Sequence, residues 1–117
     1  MTLRTTCLST LDELEMVMPG WEQQCSLRPN PDIFLLPSWH RAWWSTIGAG
    51  KRMALLVAEE EGRVEGVLPL AVHRVGLRGG FANVLEFSGS TQADVHDIVT
   101  APGKESEVLD AFAVPFA

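Results

Sequence analysis

The sequence predicts an α+β fold in which helices pack on a mixed, mostly antiparallel sheet. Short apolar runs of strand length are joined by glycine-containing turns, a pattern typical of hairpins. Helical periodicity appears near both ends of the chain. Apolar residues make up 46% of the 117 residues and charged residues 21%, as in ordinary globular proteins. A chain of this length can bury one core, so we expect a single domain over residues 1–117.

The chain begins with a Thr-rich segment, residues 3–8, that has the composition of a strand. A helix is expected after Thr10, because Glu13 stands three positions later and the two residues match a capping box. The helical period continues to Cys25, but Pro19 interrupts it. We therefore predict two short helical pieces, the second of which begins at Pro19.

Phe34–Trp44 holds three of the four tryptophans. In a helix, Trp39, Trp43 and Ile47 lie on one stripe, and Trp44 lies on an adjoining stripe. Large aromatic side chains at helical spacing usually pack in a core. The segment therefore predicts a short core helix with Trp43 as its anchor, and a smaller packing role for Trp44.

Residues 53–58 form a continuous apolar run, which predicts an interior strand covered on both faces. The following segment, 59–63, predicts a turn in which Gly62 is able to adopt a positive φ. Residues 64–75 then return as an antiparallel strand.

Pro69 lies inside this returning strand and has no N–H to donate. We expect the strand to bend there or to part from a neighbour. Gly76–Gly80 lacks both the spacing of a phosphate-binding loop and a following helix, so it predicts a second hairpin turn. Arg74 and Arg78 near this turn form a small basic patch that is suited to meet an anion, although exposed arginines are usually only solvated.

The formal charge is −6, with 15 acidic and 9 basic residues, so we expect no nucleic-acid partner. No apolar run is long enough to span a membrane and no signal peptide is recognised, which predicts a cytoplasmic protein. Two cysteines, Cys7 and Cys25, are too few for a disulfide scaffold or a zinc site, and we expect free, buried thiols.

Asp94, His96 and Asp97 form the main titratable cluster. On a strand, Asp94 and His96 share one face and Asp97 the other. A histidine beside a carboxylate can be oriented as a general base, which makes these residues the candidates for catalysis or substrate contact. The alternative is a set of hydrogen-bonded residues at a strand end. No third ligand has metal-site spacing, so no metal site is predicted.

Four ordered blocks, within roughly residues 30 to 110, resemble the CelD-like branch of the GNAT superfamily. The blocks are Pro37–Trp44, Glu61–Leu70, Val84–Gly89 and Ala93–Gly103. Such proteins are bacterial acyl-CoA-dependent acyltransferases, related to the FemAB type and often found with cellulose or exopolysaccharide synthesis. The resemblance implies a GNAT-like half, acyl-CoA as cofactor, and a small-molecule or glycan-linked amine as acceptor. In the last block Val95 replaces the aromatic residue of the family's Asp-Tyr-x-Asp type of segment.

A complete GNAT acyltransferase has an Arg/Gln-x-x-Gly-x-Gly/Ala loop at a helix start, which holds the pyrophosphate of coenzyme A. The segment after Val99 has one glycine, a proline and two glutamates in its place. We therefore expect weak coenzyme A binding and the front part of a longer acyltransferase, with self-association or a second GNAT-like half as partner. The alternatives are a non-catalytic module for acceptor binding or interaction, and a small structural protein.

Overall fold

The computed structural model describes residues 3–28, 32–90, 92 and 97–113. These residues form an α+β structure with one mostly antiparallel sheet and three α-helices. The elements are β1 (Arg4–Leu8), α1 (Leu11–Ser26), a 3₁₀ turn (Ile33–Leu35), α2 (Pro37–Ser45), β2 (Arg52–Glu60), β3 (Arg63–Leu77), β4 (Gly80–Phe87), β5 (Val99–Thr100) and α3 (Glu105–Ala113). The predicted fold class and the order of elements are confirmed at this level.

The sheet has the strand order β1-β2-β3-β4, and the short β5 also pairs with β3. Every described strand pair is antiparallel. The first predicted hairpin turn is confirmed, because Glu61 and Gly62 both have positive φ, 51° and 80°. The second is confirmed between Leu77 and Gly80, which face each other in the register.

Pro69 lies where β3 changes partner along one edge. Beyond it, Leu70 to Leu77 pair with β4, and before it Gly66 and Val67 pair with β5. On this edge the carbonyl oxygen of Pro69 accepts a single bond within the described part of the chain, from the Ser88 amide at 3.0 Å. The predicted separation from a neighbouring strand is therefore confirmed; β4 ends at Phe87 and β5 begins at Val99.

Helix α1 is continuous, so the prediction of two pieces is wrong. Thr10 caps it by accepting a hydrogen bond from the Glu13 amide at 3.2 Å, as the capping box requires. Pro19 lies inside the helix and removes one backbone hydrogen bond. The helix continues through it because Leu14, Trp21 and Cys25, before and after the proline, are all buried.

The sheet is covered on both faces over β1, β2 and the first half of β3. Helices α1 and α2 pack on one face, where Trp21, Trp43 and Trp44 join the buried residues of the strands. On the other face α3 covers Leu56, Ala58 and Leu70 with its buried Val108 and Phe112.

The predicted tryptophan stripe needs correction. Trp43 is buried as expected, but Trp44 is buried almost equally, with 7% of its surface exposed against 5%. Ile47 is exposed because α2 already ends at Ser45. In α3, Leu109 is exposed, whereas Val108 and Phe112 are buried.

Candidate anion-binding site

A depression lies where β2 begins beside β3. Arg52, the first residue of β2, faces Val72, whereas β3 continues to Leu77. From His73 onward, β3 pairs only with β4 among the described strands. The resulting space has a volume of about 660 Å³ and is called the basic notch; it is lined by Gly50, Lys51, Arg52, Val72, His73, Arg74, Phe81 and Asn83.

The strand register explains which side chains meet in the basic notch. Directly opposite residues of antiparallel strands lie on the same face of a sheet. Arg52 faces Val72, and Arg74 faces Asn83. Because positions 72 and 74 of β3 share a face, the two arginines lie on one side of the sheet, together with Asn83.

The basic notch carries positive charge in an acidic protein. Its lining contains Lys51, Arg52 and Arg74 and no carboxylate, although the chain as a whole has a charge of −6. The Lys51 ammonium is 3.3 Å from Nδ1 of His73. Since an ammonium only donates, Nδ1 accepts this bond and a neutral imidazole then carries its proton on Nε2.

Arg74 is held over the ring of Phe81. Its Cζ atom is 4.3 Å from the ring centroid, which is within the range of a cation–π contact. This contact holds the guanidinium of Arg74 at the basic notch, which the residue lines. The arrangement is suited to bind an anion.

Among the predicted site residues that the structure describes, Asp97 lies far from Arg74. Arg74 lines the basic notch, whereas Arg78 is an exposed residue of the hairpin turn and is not part of the lining. Asp94 and His96 lie outside the described residues. Val99, two residues after Asp97, faces Val67, and Arg74 is seven positions further along β3, about 23 Å away along the strand.

Asp97 is not on a strand, so that part of the prediction is wrong. The residue is exposed and precedes β5. Its Oδ2 accepts a hydrogen bond from Nη2 of Arg28 at 3.1 Å, and its Oδ1 accepts one from the amide of Ile98 at 2.8 Å. Through the first of these bonds Arg28, two residues after α1, contacts the segment immediately before β5.

A second depression, of about 460 Å³, lies beside Asp97; Leu27, Arg28, Ile98, Thr100, Pro102, Glu105 and Leu109 complete its lining. Arg28 also donates from Nη1 to the carbonyl oxygen of Ile98 at 3.1 Å. Both ends of the guanidinium are therefore occupied within the protein. The guanidinium in this depression is therefore less available to bind an anion than the cations of the basic notch are.

Sequence reasoning missed Lys51 and Arg52 as site residues. They follow directly on one another, but they stand some twenty positions before Arg74. A regular register read back from the turn at Gly62 would place Arg52 opposite Ala71, but an irregularity between Ala58 and Glu59 shifts the pairing by one residue and places Arg52 opposite Val72. Because a shift of one residue moves side chains to the other face of a sheet, the turn alone did not reveal that Arg52 and Arg74 share a face.

The cysteines do not supply a nucleophile. Burial raises the pKa of the Cys25 thiol to about 11, and its Sγ donates to the carbonyl oxygen of Leu35 at 3.3 Å. The expectation of buried thiols is correct for Cys25 and wrong for Cys7, which is exposed on β1. Partial desolvation, followed by the nearby Glu13 carboxylate, also raises the pKa of Cys7. Both thiols are protonated at neutral pH. Within the described residues, no group of three or more acidic, His or Cys side chains is placed to hold a metal ion.

Comparison of the chain with protein-family models, with curated proteins and with solved structures gives no match. No residue role is therefore transferred from another protein. In the described part of the chain, no helix has the length and apolar character needed to cross a membrane. Function is inferred from the charges and geometry of the basic notch.

Proposed function

We propose that this chain is the anion-binding part of an acyl-CoA-dependent N-acyltransferase of the CelD-like type, and that the basic notch receives the phosphates of the ligand. One observation supports anion binding above all. The basic notch gathers three cationic side chains without a carboxylate, in a chain with six more negative than positive charges. Such a local reversal of charge attracts anions against the overall field of the protein.

The types of side chain also support a phosphate ligand. Arg52 and Arg74 each present a planar fork that matches phosphate oxygens, and Lys51 adds a point charge. The Lys51–His73 contact positions that charge at the edge of the space. The acyltransferase class itself rests on the resemblance of the ordered sequence blocks.

The basic notch is assigned a binding role and not the transfer step. In the mechanism implied by the family, a deprotonated amine attacks the thioester carbonyl directly, and backbone amides stabilise the oxyanion. His73 is the one imidazole in the lining, and its Nδ1 already accepts from Lys51. The groups that perform the transfer are therefore placed elsewhere in the proposal.

Calorimetric titration of the chain with acetyl-CoA and with phosphate-free pantetheine tests phosphate recognition. We expect weak acetyl-CoA binding that falls with added salt, and no pantetheine binding. Arg74→Gln should weaken acetyl-CoA binding about tenfold, because a charge-assisted hydrogen bond to phosphate is lost. Arg4→Gln on β1 is the control, since Arg4 is also exposed but lies on the opposite edge of the sheet. Equal binding of pantetheine, or equal losses in both variants, would contradict the proposal.

A second candidate is a non-catalytic module for acceptor binding or interaction. It is favoured by the exposed apolar side chains of β3 and β4, which include Leu77 and Phe81. Under this alternative, acetyl-CoA leaves the melting temperature of the chain unchanged. A salt-sensitive increase with acetyl-CoA supports the first candidate.

A further inference from the structure

The hairpin formed by β3 and β4 extends beyond the packed layers of the protein. Residues 73–85, here called the ribbon, comprise the end of β3, the turn and most of β4. Beside β2 the last partner of β3 is Arg52, so His73 to Leu77 continue as part of a two-stranded structure. Five residues at strand spacing make a projection of about 16 Å.

The ribbon exposes large apolar side chains on both faces. Of the nine such exposed side chains in the described residues, four belong to it. Leu77 and Val84 lie on one face, because Leu77 faces Gly80 and Val84 stands four positions later. Phe81 and Leu85 occupy the alternate positions and lie on the other face. Leu77 and Phe81 flank the turn and are the most exposed of the four, at 58% and 68%.

The ribbon is also the most basic part of the chain. It contains Arg74 and Arg78 and no carboxylate, and Lys51 and Arg52 stand next to it. These four residues are almost half of the 9 basic residues. The remainder of the chain holds the other 5 basic residues and all 15 acidic ones, so the molecule has a positive end and a negative body.

We propose that the ribbon docks the chain on an anionic lipid surface. Apolar side chains on two opposite faces are covered together when the tip enters an interface that surrounds it, whereas a protein partner covers one face. The arginines then meet the lipid phosphates, and the acidic body points away from the surface. A second copy of the chain fits less well, since pairing two ribbons brings like charges together.

The open backbone edges set the depth of this docking. Between His73 and Leu77 the edge of β3 away from β4 has no strand partner among the described residues. Backbone N–H and C=O groups without a partner are costly to bury in hydrocarbon, but in the headgroup region they can keep their hydrogen bonds to water. The ribbon therefore enters the interface only. The tip residues Leu77 and Arg78 lie outside the lining of the basic notch, so the docking can be tested separately from the ligand proposed there.

Sedimentation with vesicles tests the docking. The intact chain should bind vesicles that contain phosphatidylglycerol, and not vesicles of phosphatidylcholine alone. The double variant Leu77→Ser/Arg78→Gln changes the tip without touching the lining of the basic notch. Its vesicle binding should fall about tenfold, since one apolar contact and one charge are lost. The matched control, Met16→Ser/Arg4→Gln, also removes one exposed apolar side chain and one exposed arginine, and should bind as the parent does.

Three results would overturn the docking: equal binding to both vesicle types, equal losses in the two double variants, or polyglutamate binding that is as tight as vesicle binding. The last result assigns the ribbon to an acidic protein partner. Acetyl-CoA titration of Leu77→Ser/Arg78→Gln separates this proposal from the function of the basic notch. Its acetyl-CoA affinity should be unchanged while its vesicle binding is lost.

A reporter at the tip measures insertion directly. Cys7→Ser removes the exposed thiol, and burial keeps Cys25 protonated, with a raised pKa of about 11, and therefore unreactive. In this background Leu77→Cys and Met16→Cys each carry an environment-sensitive fluorophore. Anionic vesicles should shift the emission of the label at position 77 to shorter wavelength and leave the label at position 16 unchanged. A shift at both positions, or at neither, would exclude insertion of the tip.

Discussion

The two halves of β3 have opposite surroundings although they belong to one continuous strand. Up to Ala71, most of its side chains are buried between α1 on one face and α3 on the other. From Arg74 to Leu77 most are exposed, and β4 is the only strand beside them in the described structure. Both halves have the backbone conformation of a β-strand, but they differ in the helices that pack on them. Stability is therefore concentrated at one end of the strand, and the two proposed sites lie at the other.

The two halves of β3 should differ in how well they tolerate substitutions. A substitution in the packed half removes contacts or adds clashes in a dense interior, where a change of even one methylene group alters stability. A change in the ribbon meets solvent, so residues that contact a ligand there are replaceable without unfolding the chain. The proposed anion site and the proposed lipid-docking tip both lie at this tolerant end.

The largest effect is expected for the tryptophans of α2. Trp43→Ala should lower the free energy of unfolding by about 3–5 kcal/mol, because a buried aromatic side chain is lost. Trp43 also donates from Nε1 to Oε1 of Gln92 at 3.0 Å, whereas the buried Nε1 of Trp44 has no hydrogen-bond partner among the residues that the structure describes. Trp44→Ala should therefore cost less, by about 1 kcal/mol. Urea titration measures both, and Phe81→Ala is the exposed aromatic control. Equal losses in the two tryptophan variants would contradict this difference in hydrogen bonding.

Two glycines of β3 provide a matched test of the two halves. A Cβ atom at Gly66 would collide with the side chain of Val108 in α3, whereas at Gly76 the nearest atom is Cε1 of Phe81 at 3.7 Å. Gly66→Ala should destabilise the protein by about 1–3 kcal/mol through overpacking. Gly76→Ala should have almost no effect. Thermal unfolding of the two variants checks this, and similar melting temperatures would mean that α3 does not pack closely on the sheet.

The sequence carried enough local information for the elements and their order. The cap at Thr10, the turn at Gly62 and the separation at Pro69 each depend on a chemical property of one or two residues, and all three were predictable. The continuity of α1 was not, because it depends on tertiary burial on both sides of Pro19. The basic notch was also missed, since it depends on the register between β2 and β3 and not on nearby residues in the chain.

A smaller effect is expected where α3 is attached to the sheet. Lys104, next to the helix, is 3.4 Å from Oε2 of the buried Glu60. Lys104→Met should destabilise the protein, because it leaves a buried carboxylate without its cation. The double variant Lys104→Met/Glu60→Gln should recover part of this loss. Arg41→Met breaks the exposed pair with Glu15 and is the control, with an expected cost of about 0–1 kcal/mol. A double variant less stable than Lys104→Met would rule out this role of the pair.

The smallest effect is expected at the exposed start of α1, and it depends on pH. Hydrogen bonds from the Ser9 amide first, and then from the Thr10 hydroxyl, lower the pKa of Glu13 below its ordinary value. A carboxyl whose pKa is lower in the folded state adds stability above the pKa of the unfolded chain and loses it as the pH falls through the folded value. Glu13→Gln should therefore be less stable than the parent at neutral pH, and the two should converge in acid. Melting temperatures measured across the acidic range test this. A difference that stays constant with pH would mean that the charge of Glu13 does not contribute, and that only its hydrogen bonds do.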